Sequence, residues 1–528
     1  MKNKAFTASV IATISAFLVE VVILILFRET WFDELLYSFK GYLIASGTYV
    51  PFTDIVVEYP PLFIPIYGIP QILAGPSLYL ARIVSTVILG LMLTSVYIVG
   101  KKLGNSRWWG IGAVWLLMSN VFLMGNYVSG TLYSLTALLL TLAFWVETLS
   151  TSRSKKALYS GVVLGLLLLA RINMLPAILV YGGYLLYRRV GMRDGAIFLA
   201  SLAVTVIIGY APLVYQNPSL AFSHILAPFV KVGPLATLPA TAVVGGQAIV
   251  EYVQVFVDLV REFFAFFVLF FTVLAFIVRQ QWGRIIEFIQ EEHVYALLVA
   301  LSTGLFAAHY LYWGAIGQVG YAAYFMPLVA LTTMVGCARY VGEYRPFAAI
   351  VVGVAIALGA VGNLYRSDVL SSPREESDIL RVSRGAELIR AHTEADARVL
   401  SFDNSFFHVF LAGKTILAPL VNRDFFYVHF LDTERARQLR FYNYELLKEW
   451  ILSGADYIAL NKEFWNLQFV RGSFWGSLDP DGRRKADEIR GILDEEFELI
   501  ASVNNVYPRK YTKGEDGGTL ELYKRLKQ

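Results

Sequence analysis

Two acidic side chains, Asp33 and Glu34, follow directly after the first long apolar segment of the chain. An acid beside an apolar boundary is partly desolvated, so it is poised to hold or accept a proton. The pair therefore suits a general base. A simpler interpretation also remains open, in which Asp33 caps the helix that follows and the rest of the segment is an ordered loop.

Cationic side chains near the ends of apolar segments are the second group of candidates. Arg82 and Arg171 occupy such positions, and His309 lies at a similar depth. A fixed cation there stabilises charge that develops on an anionic group. The alternatives are that both arginines extend to a membrane interface and that His309 is a hydrogen-bonded interfacial residue.

The composition indicates a membrane protein with two regions. Of the 528 residues, 56% are hydrophobic and 16% are charged, whereas about a quarter of the residues of soluble domains are charged. Residues 1–365 carry 36 of the 86 charged side chains, and residues 366–528 carry the other 50. We therefore expect a membrane region at 1–365 and a water-exposed domain at 366–528. The single cysteine excludes a disulfide scaffold, and a net charge of +4 is too small to indicate a nucleic-acid partner.

The apolar segments predict a polytopic helical protein. A helix needs about 20 apolar residues to cross the hydrocarbon core of a bilayer, and eleven segments approach that length. They lie at 6–27, 77–100, 108–124, 130–149, 157–171, 173–187, 194–215, 262–279, 294–313, 318–340 and 346–364. A shorter apolar stretch at 62–73 contains two prolines, so we expect it to be half-embedded or re-entrant.

The basic residues predict the orientation. With a cytoplasmic N-terminus, 15 of the 21 basic residues before position 366 lie on the inner side, which agrees with the positive-inside rule. An odd number of crossings then places residues 366–528 outside. The protein is thus expected to be a multi-pass cell-membrane protein with an extracytoplasmic C-terminal domain.

The C-terminal region has the pattern of a small α/β domain. Amphipathic helices are predicted at 376–392 and 443–454, and strands at 398–403, 456–462, 497–503 and 519–526. A domain of this length and charge is expected to have its own core and to fold alone.

The first outer loop, residues 28–61, contains the acidic pair. Residues 35–47 have helical spacing with apolar residues on one face, which predicts a helix lying flat in the membrane interface. Gly47, Pro51 and the Pro60-Pro61 pair then mark the return of the chain to the membrane.

This loop resembles the first outer loop of the GT-C superfamily of polyprenyl-phosphate-sugar-dependent glycosyltransferases. It is most similar to the protein mannosyltransferase and aminoarabinose transferase group, glycosyltransferase family 39 and its relatives. The matching positions are Asp33, Glu34, Tyr37, Gly41, Gly47, Tyr49, Pro51, Asp54, Glu58, Tyr59, Pro60, Pro61 and Leu62. Three later segments agree with the family pattern, at 80–90, 165–176 and 321–331.

The resemblance implies a reaction and roles for these residues. A sugar would pass, with inversion, from a dolichyl or undecaprenyl phosphate to a hydroxyl of a glycan, lipid or protein acceptor at the outer membrane face. By this analogy Asp33 deprotonates the acceptor, and Glu34 orients it or shares the site. The donor phosphate would be bound by Arg82, Arg171 and His309. Substrate contacts are expected from Asp54, Glu58, Tyr59, Tyr321 and Tyr324, and neither a cofactor nor a metal is expected.

One position departs from the family, and two other functions stay open. The family often places an arginine directly before the aromatic residue of the late Tyr-x-x-Pro segment, whereas Ala323 precedes Tyr324 here. Another residue must therefore recognise the donor phosphate. The alternatives are a mannosyltransferase that extends glycolipids or lipid anchors, and a transporter of lipid-linked sugars. Acids clustered in one outer loop, without internal repeats, favour the enzyme.

Overall fold

The computed structural model describes most of the chain, and it divides into two compact units. The first unit comprises residues 1–26, 82–210 and 243–370, and the second comprises 27–81, 211–242 and 371–528. The described residues are 2–30, 32–51, 60–188, 191–215, 217–219, 221, 245–308, 319–340, 349–350, 352–354, 356–357, 359, 376–401, 405–417, 429, 431–439, 442–462, 479–508 and 518–526.

Helices dominate the first 340 residues, and we number them along the chain. They are α1 (Lys2–Phe27), α2 (Phe32–Ala45), α3 (Ile69–Ala74), α4 (Leu78–Leu103), α5 (Arg107–Met118), α6 (Val121–Val128), α7 (Tyr133–Glu147), α8 (Arg153–Ala170), α9 (Leu175–Tyr187), α10 (Met192–Val214), α11 (Gly245–Gln281), α12 (Ile285–Glu291), α13 (His293–Ala308) and α14 (Met326–Tyr340). A π-helical turn at Ile64–Gly68 precedes α3, and a 3₁₀ helix at Val319–Tyr324 precedes α14.

Several predicted crossings match long apolar helices. Within the described ranges, four helices are long and apolar enough to span a membrane: Lys4–Phe27, Leu78–Leu103, Met192–Val214 and Arg261–Gln281. The protein is therefore a multi-pass membrane protein with a mostly helical fold, as the composition predicts. The total of eleven crossings stays a prediction.

The predicted crossing at 108–124 differs from the structure. It consists of α5 and α6, which are bent by 84° relative to each other. The side chain of Asn120 accepts a hydrogen bond from the amide of Leu123 at 2.8 Å and so caps α6. A cap of this kind starts a new helix, which explains why one continuous apolar run forms two helices.

Residues 376–526 form the predicted α/β arrangement. Helices α15 (Asp378–His392), α16 (Phe406–Leu411), α17 (Thr433–Leu439), α18 (Tyr444–Ser453) and α19 (Gly482–Glu496) accompany strands β1 (Arg398–Leu400), β2 (Thr415–Leu417), β3 (Tyr457–Asn461), β4 (Phe497–Asn504) and β5 (Thr519–Arg525). The strand order is β2-β1-β3-β5-β4. Strand β1 is parallel to β2 and β3, whereas β5 is antiparallel to β3 and β4. All four predicted strands are present, although β1 ends at Leu400 whereas the prediction extended to residue 403. Strand β2 was not predicted.

Helix α2 is enclosed by protein along most of its length, and its predicted flat position in the membrane interface stays a prediction. Every residue from Glu34 to Gly41 is buried, including the polar Ser38 and Lys40 at 1% and 0% exposure. One side of α2 packs on the π-helical turn. The ring centroid of Tyr37 lies 5.6 Å from that of Phe63, which directly precedes the turn. Another side packs on α16, where the ring centroids of Phe39 and Phe406 lie 4.9 Å apart. Protein therefore covers the polar face that a membrane-surface helix would present to water.

The first outer loop and the C-terminal region belong to the same compact unit. The ring of Phe39 also contacts Phe410 at 5.5 Å, and the Tyr49 hydroxyl donates to the carbonyl of Ile416 at 2.6 Å. The boundary drawn at residue 365 follows charge density along the sequence. The contacts add residues 27–81 to the unit that contains residues 371–528.

Candidate active site

The acidic pair lies in the first turn of α2. The helix begins at Phe32, so Asp33 is inside the helix and not at its N-cap position. The positive end of the helix dipole favours an ionised carboxylate there. Asp33 is partly exposed to solvent, whereas Glu34 is fully buried and is held in the protein interior.

The end of α2 is fixed by a glycine turn. Gly47 has a φ of +73°, a conformation that glycine adopts without the steric cost of a Cβ atom. Its amide donates to the carbonyl of Ile44 at 3.1 Å, and the amide of Tyr49 donates to Leu43 at 3.1 Å. These bonds satisfy carbonyl groups that a helix end leaves open. The second glycine of the loop pattern is thus required by backbone geometry.

A second candidate cluster lies in the first unit around Arg171. This residue is the C-cap of α8, and its side chain is largely buried. The guanidinium carbon lies 5.3 Å from the ring centroid of Tyr324 and 5.9 Å from that of Tyr321. A guanidinium over an aromatic face is attracted by the ring quadrupole. The structure therefore brings together three residues that were selected from the sequence.

Tyr133 is a member of this cluster that the sequence analysis missed. It is the first residue of α7, and its ring stacks on Tyr324 at 4.9 Å with an interplanar angle of 18°. The guanidinium of Arg171 lies 5.9 Å from the Tyr133 ring as well. With 31 tyrosines in the chain, nothing in the local pattern separates Tyr133 from residues of an aromatic belt.

Arg82 has a different environment. Its side chain is fully buried, and Nη1 donates to the carbonyl of Ile25 at 2.8 Å and to that of Leu24 at 3.5 Å. Both carbonyls belong to the last turn of α1, where helix geometry leaves acceptors open. Arg82 therefore connects α4 to the end of α1.

Comparisons with known sequences return no match, either to a protein-family profile or to a curated protein. Solved structures do match. ArnT from Cupriavidus metallidurans bound to undecaprenyl phosphate is similar with a TM-score of 0.59 and 11% identity, covering 99% of this chain and 98% of that chain. The archaeal oligosaccharyltransferase AglB from Archaeoglobus fulgidus, in complex with an inhibitory peptide and a dolichol-phosphate, has a TM-score of 0.51 and 13% identity. That match covers 86% of this chain and 69% of AglB.

The chain shares the fold of the ArnT and AglB structures. The likeness extends over nearly the whole chain and includes the C-terminal region. It confirms, at the level of fold, the resemblance seen in the first outer loop.

Ala323, which stands where the family often has an arginine, directly precedes Tyr324 of the cluster around Arg171. The carbonyl of Ala323 accepts a hydrogen bond from the Tyr127 hydroxyl at 2.6 Å, and both residues are fully buried. An arginine side chain is absent at this position, but Arg171 brings a guanidinium to the adjacent Tyr324 from α8. A cation thus reaches the aromatic segment from another helix.

Four predicted site residues lie outside the described part of the chain. They are Asp54, Glu58, Tyr59 and His309. Of the others, Asp33 and Glu34 belong to the second unit, whereas Arg82, Arg171, Tyr321 and Tyr324 belong to the first. The described ranges contain no group of three or more His, Cys, Asp or Glu residues that could hold a metal ion.

Proposed function

We propose that this protein is a membrane glycosyltransferase that moves a sugar from a polyprenyl phosphate to an acceptor hydroxyl. The observation that carries the proposal is the fold shared with the ArnT and AglB structures, together with a partly exposed carboxylate, Asp33, in the first turn of the helix after the first span. The ArnT structure contains undecaprenyl phosphate and the AglB structure contains a dolichol-phosphate. We infer a donor of the same chemical class for this chain.

Asp33 acts as the general base in this proposal. Its carboxylate accepts the proton of the acceptor hydroxyl, and the hydroxyl oxygen attacks the anomeric carbon from the side opposite the phosphate. The bond between that carbon and the phosphate oxygen breaks, the lipid phosphate leaves with the electron pair, and the anomeric configuration inverts. Glu34 follows Asp33 in the sequence and is fully buried. We therefore assign it to orienting the acceptor or supporting the base.

Arg171 is the first candidate for binding the leaving phosphate. Its guanidinium is largely buried among three tyrosine rings, and a cation in a water-poor site stabilises a developing negative charge more strongly than an exposed one. Arg82 and His309 complete the proposed set, with Arg82 second because its guanidinium also holds the end of α1. Tyr321 and Tyr324 are proposed to contact the donor, and Asp54, Glu58 and Tyr59 to contact the substrates.

Location and orientation complete the proposal. The distribution of basic residues places the N-terminus in the cytoplasm and the acidic pair at the outer face. The transfer would then occur between a lipid in the outer leaflet and an acceptor outside the cytoplasm.

The test uses the full chain in lipid nanodiscs. A panel of undecaprenyl and dolichyl phosphates carrying radiolabelled mannose, glucose or aminoarabinose is offered with membrane glycolipid and peptide acceptors. The unmodified chain should transfer one of these sugars. Asp33→Asn should reduce the rate by about 10²- to 10⁴-fold, because loss of a general base costs this much.

A matched control is Asp487→Asn, which changes an exposed aspartate on α19. It should leave transfer unchanged, and Glu34→Gln should have a milder effect than Asp33→Asn. Near-normal turnover by Asp33→Asn together with loss in Glu34→Gln would reverse the two roles. Activity in both variants would make the loop structural, and movement of intact lipid-linked sugar across the bilayer without transfer would identify a transporter.

A further inference from the structure

Asp378 of the C-terminal region reaches the segment that precedes the proposed base. Its Oδ2 atom accepts a hydrogen bond from the backbone amide of Thr30 at 2.9 Å, across 348 residues of sequence. Both residues have 0% exposure. The bond therefore lies entirely in the interior of the second unit.

The geometry shows that Asp378 is not needed to cap its own helix. Ser377 performs that task, since its side chain accepts from the amide of Leu380 at the start of α15. The helix dipole favours the ionised form of Asp378 in the first turn. The Asp378 carboxylate accepts a hydrogen bond from the Thr30 amide, which lies outside α15.

Thr30 lies between the end of α1 at Phe27 and the start of α2 at Phe32. A buried amide in such a connection needs an acceptor, and a charged carboxylate forms a stronger hydrogen bond than a neutral acceptor does. Asp33 follows only three residues later. The bond to Asp378 therefore fixes the backbone from which α2 and its first turn begin.

The same C-terminal region holds α2 at two further points. In the middle of the helix, the ring of Phe39 packs against those of Phe406 and Phe410. The distances between ring centroids are 4.9 and 5.5 Å. Beyond the end of the helix, Tyr49 donates to the carbonyl of Ile416. The C-terminal region therefore contacts the segment before α2, the middle of α2 and the segment after it.

We propose that Asp378 is a positioning residue that sets the place of the Asp33 carboxylate by holding the amide of Thr30. This inference rests on the proposed function. It makes α15 a part of the catalytic apparatus, although α15 belongs to the region that the sequence separates from the membrane site.

The first experiment measures amide hydrogen exchange on the full chain in nanodiscs. Asp378→Ala should raise exchange in peptides covering residues 28–36 by tenfold or more, because the Thr30 amide loses its acceptor. Asp378→Asn retains an oxygen acceptor and should restore protection. The matched control is Asp456→Ala, which breaks an exposed ion pair with Arg398 in the same region and should leave residues 28–36 unchanged.

The second experiment measures transfer with the donor of the panel that the unmodified chain uses. Asp378→Ala should lower kcat per folded molecule by about 10²-fold, which is the cost of a displacement near 1 Å at a reacting group. The KM for the donor should stay within twofold, and Asp378→Asn should recover most of kcat. A residue with only a structural role would reduce the yield of folded protein without changing kcat.

If Asp378→Ala yields too little folded protein, Asp378→Glu is used for the kcat measurement instead. It keeps the charge and moves the acceptor by one methylene, so kcat should fall at least tenfold. Unchanged exchange at 28–36 in Asp378→Ala, or unchanged kcat in both variants, would overturn the proposal. If the unmodified chain uses no donor of the panel, the proposed function fails, and the exchange experiment alone decides whether Asp378 orders the start of α2.

Discussion

Gly41 and Gly68 bring two backbone segments into direct contact within the second unit. A Cβ atom at Gly41 would lie 2.9 Å from the amide nitrogen of Gly68, and a Cβ atom at Gly68 would overlap the carbonyl group of Gly41. Only glycine fits at both positions. The glycine of the Tyr37-x-x-x-Gly41 pattern is therefore explained by the packing of α2 on the π-helical turn.

A substitution at Gly41 should destabilise the protein. Gly41→Ala is expected to cost about 1–3 kcal/mol because the added methyl group meets backbone that cannot move away. The control, Gly491→Ala on α19, meets no atom within 4 Å and should stabilise its helix by roughly 0.5–1 kcal/mol. Thermal unfolding in detergent, followed by size-exclusion chromatography, measures both. Equal stability of Gly41→Ala and the unmodified chain would contradict the packing argument.

Arg171→Ala should weaken binding of undecaprenyl phosphate. Loss of a hydrogen-bonded cation from a water-poor site costs roughly 2–5 kcal/mol. Binding of undecaprenol, which has no phosphate, should change little. Native mass spectrometry or a radiolabelled lipid assay can compare the two lipids. If the variant binds both lipids like the unmodified chain, the phosphate contact belongs to Arg82, to His309 or to backbone amides.

Arg82→Ala should act mainly on stability. The substitution removes the donor that satisfies the Ile25 carbonyl at the end of α1, and a buried carbonyl without a partner costs about 1–3 kcal/mol. We expect a lower unfolding temperature and a smaller loss of lipid affinity per folded molecule than in Arg171→Ala. A larger loss of affinity in Arg82→Ala would make Arg82 the principal phosphate ligand.

His408 should make the stability of the second unit depend on pH. Burial lowers its pKa from 6.5 to about 4, although the hydrogen bond to the Val382 carbonyl acts in the opposite direction. In the unfolded chain His408 binds a proton near pH 6.5, whereas in the folded chain it stays neutral down to about pH 4. Burial of the neutral ring therefore does not reduce the free energy of unfolding above pH 6.5. That free energy falls as the pH drops from 6.5 toward 4. The loss amounts to roughly 3 kcal/mol. His408→Gln should flatten the unfolding temperature between pH 4.5 and 6.5, and an unchanged slope would assign the dependence to other groups.

The orientation can be tested with a reporter that is active only in the cytoplasm. Fused after Gln528, it should stay silent, because an odd number of crossings places the C-terminus outside when 15 of 21 basic residues face inward. The same reporter fused before Met1 should be active. A signal from the C-terminal fusion would show an even number of crossings, and the bent pair α5 and α6 would be the first candidate for a re-entrant segment.

Features that depend on neighbouring residues could be predicted from the amino-acid sequence. Long apolar runs predicted α1, α4 and α10, since a helix that faces lipid is apolar around its circumference. Alternation predicted strands such as β4 and β5. The positions of Asp33 after the first span and of Arg171 at the end of an apolar segment also came from local patterns, whereas Tyr321 and Tyr324 were suggested by the family resemblance.

Contacts between surfaces that are distant in the sequence are seen only in the folded chain. The apolar spacing of α2 predicted one buried face, but Phe406, far away in the sequence, covers a second face and encloses the helix. Tyr133, Arg82 and Asp378 each take their role from a partner on another element: the ring of Tyr324, the carbonyl of Ile25 and the amide of Thr30. Contacts between distant segments form only when the whole chain folds, so they cannot be predicted from the residue pattern of one segment.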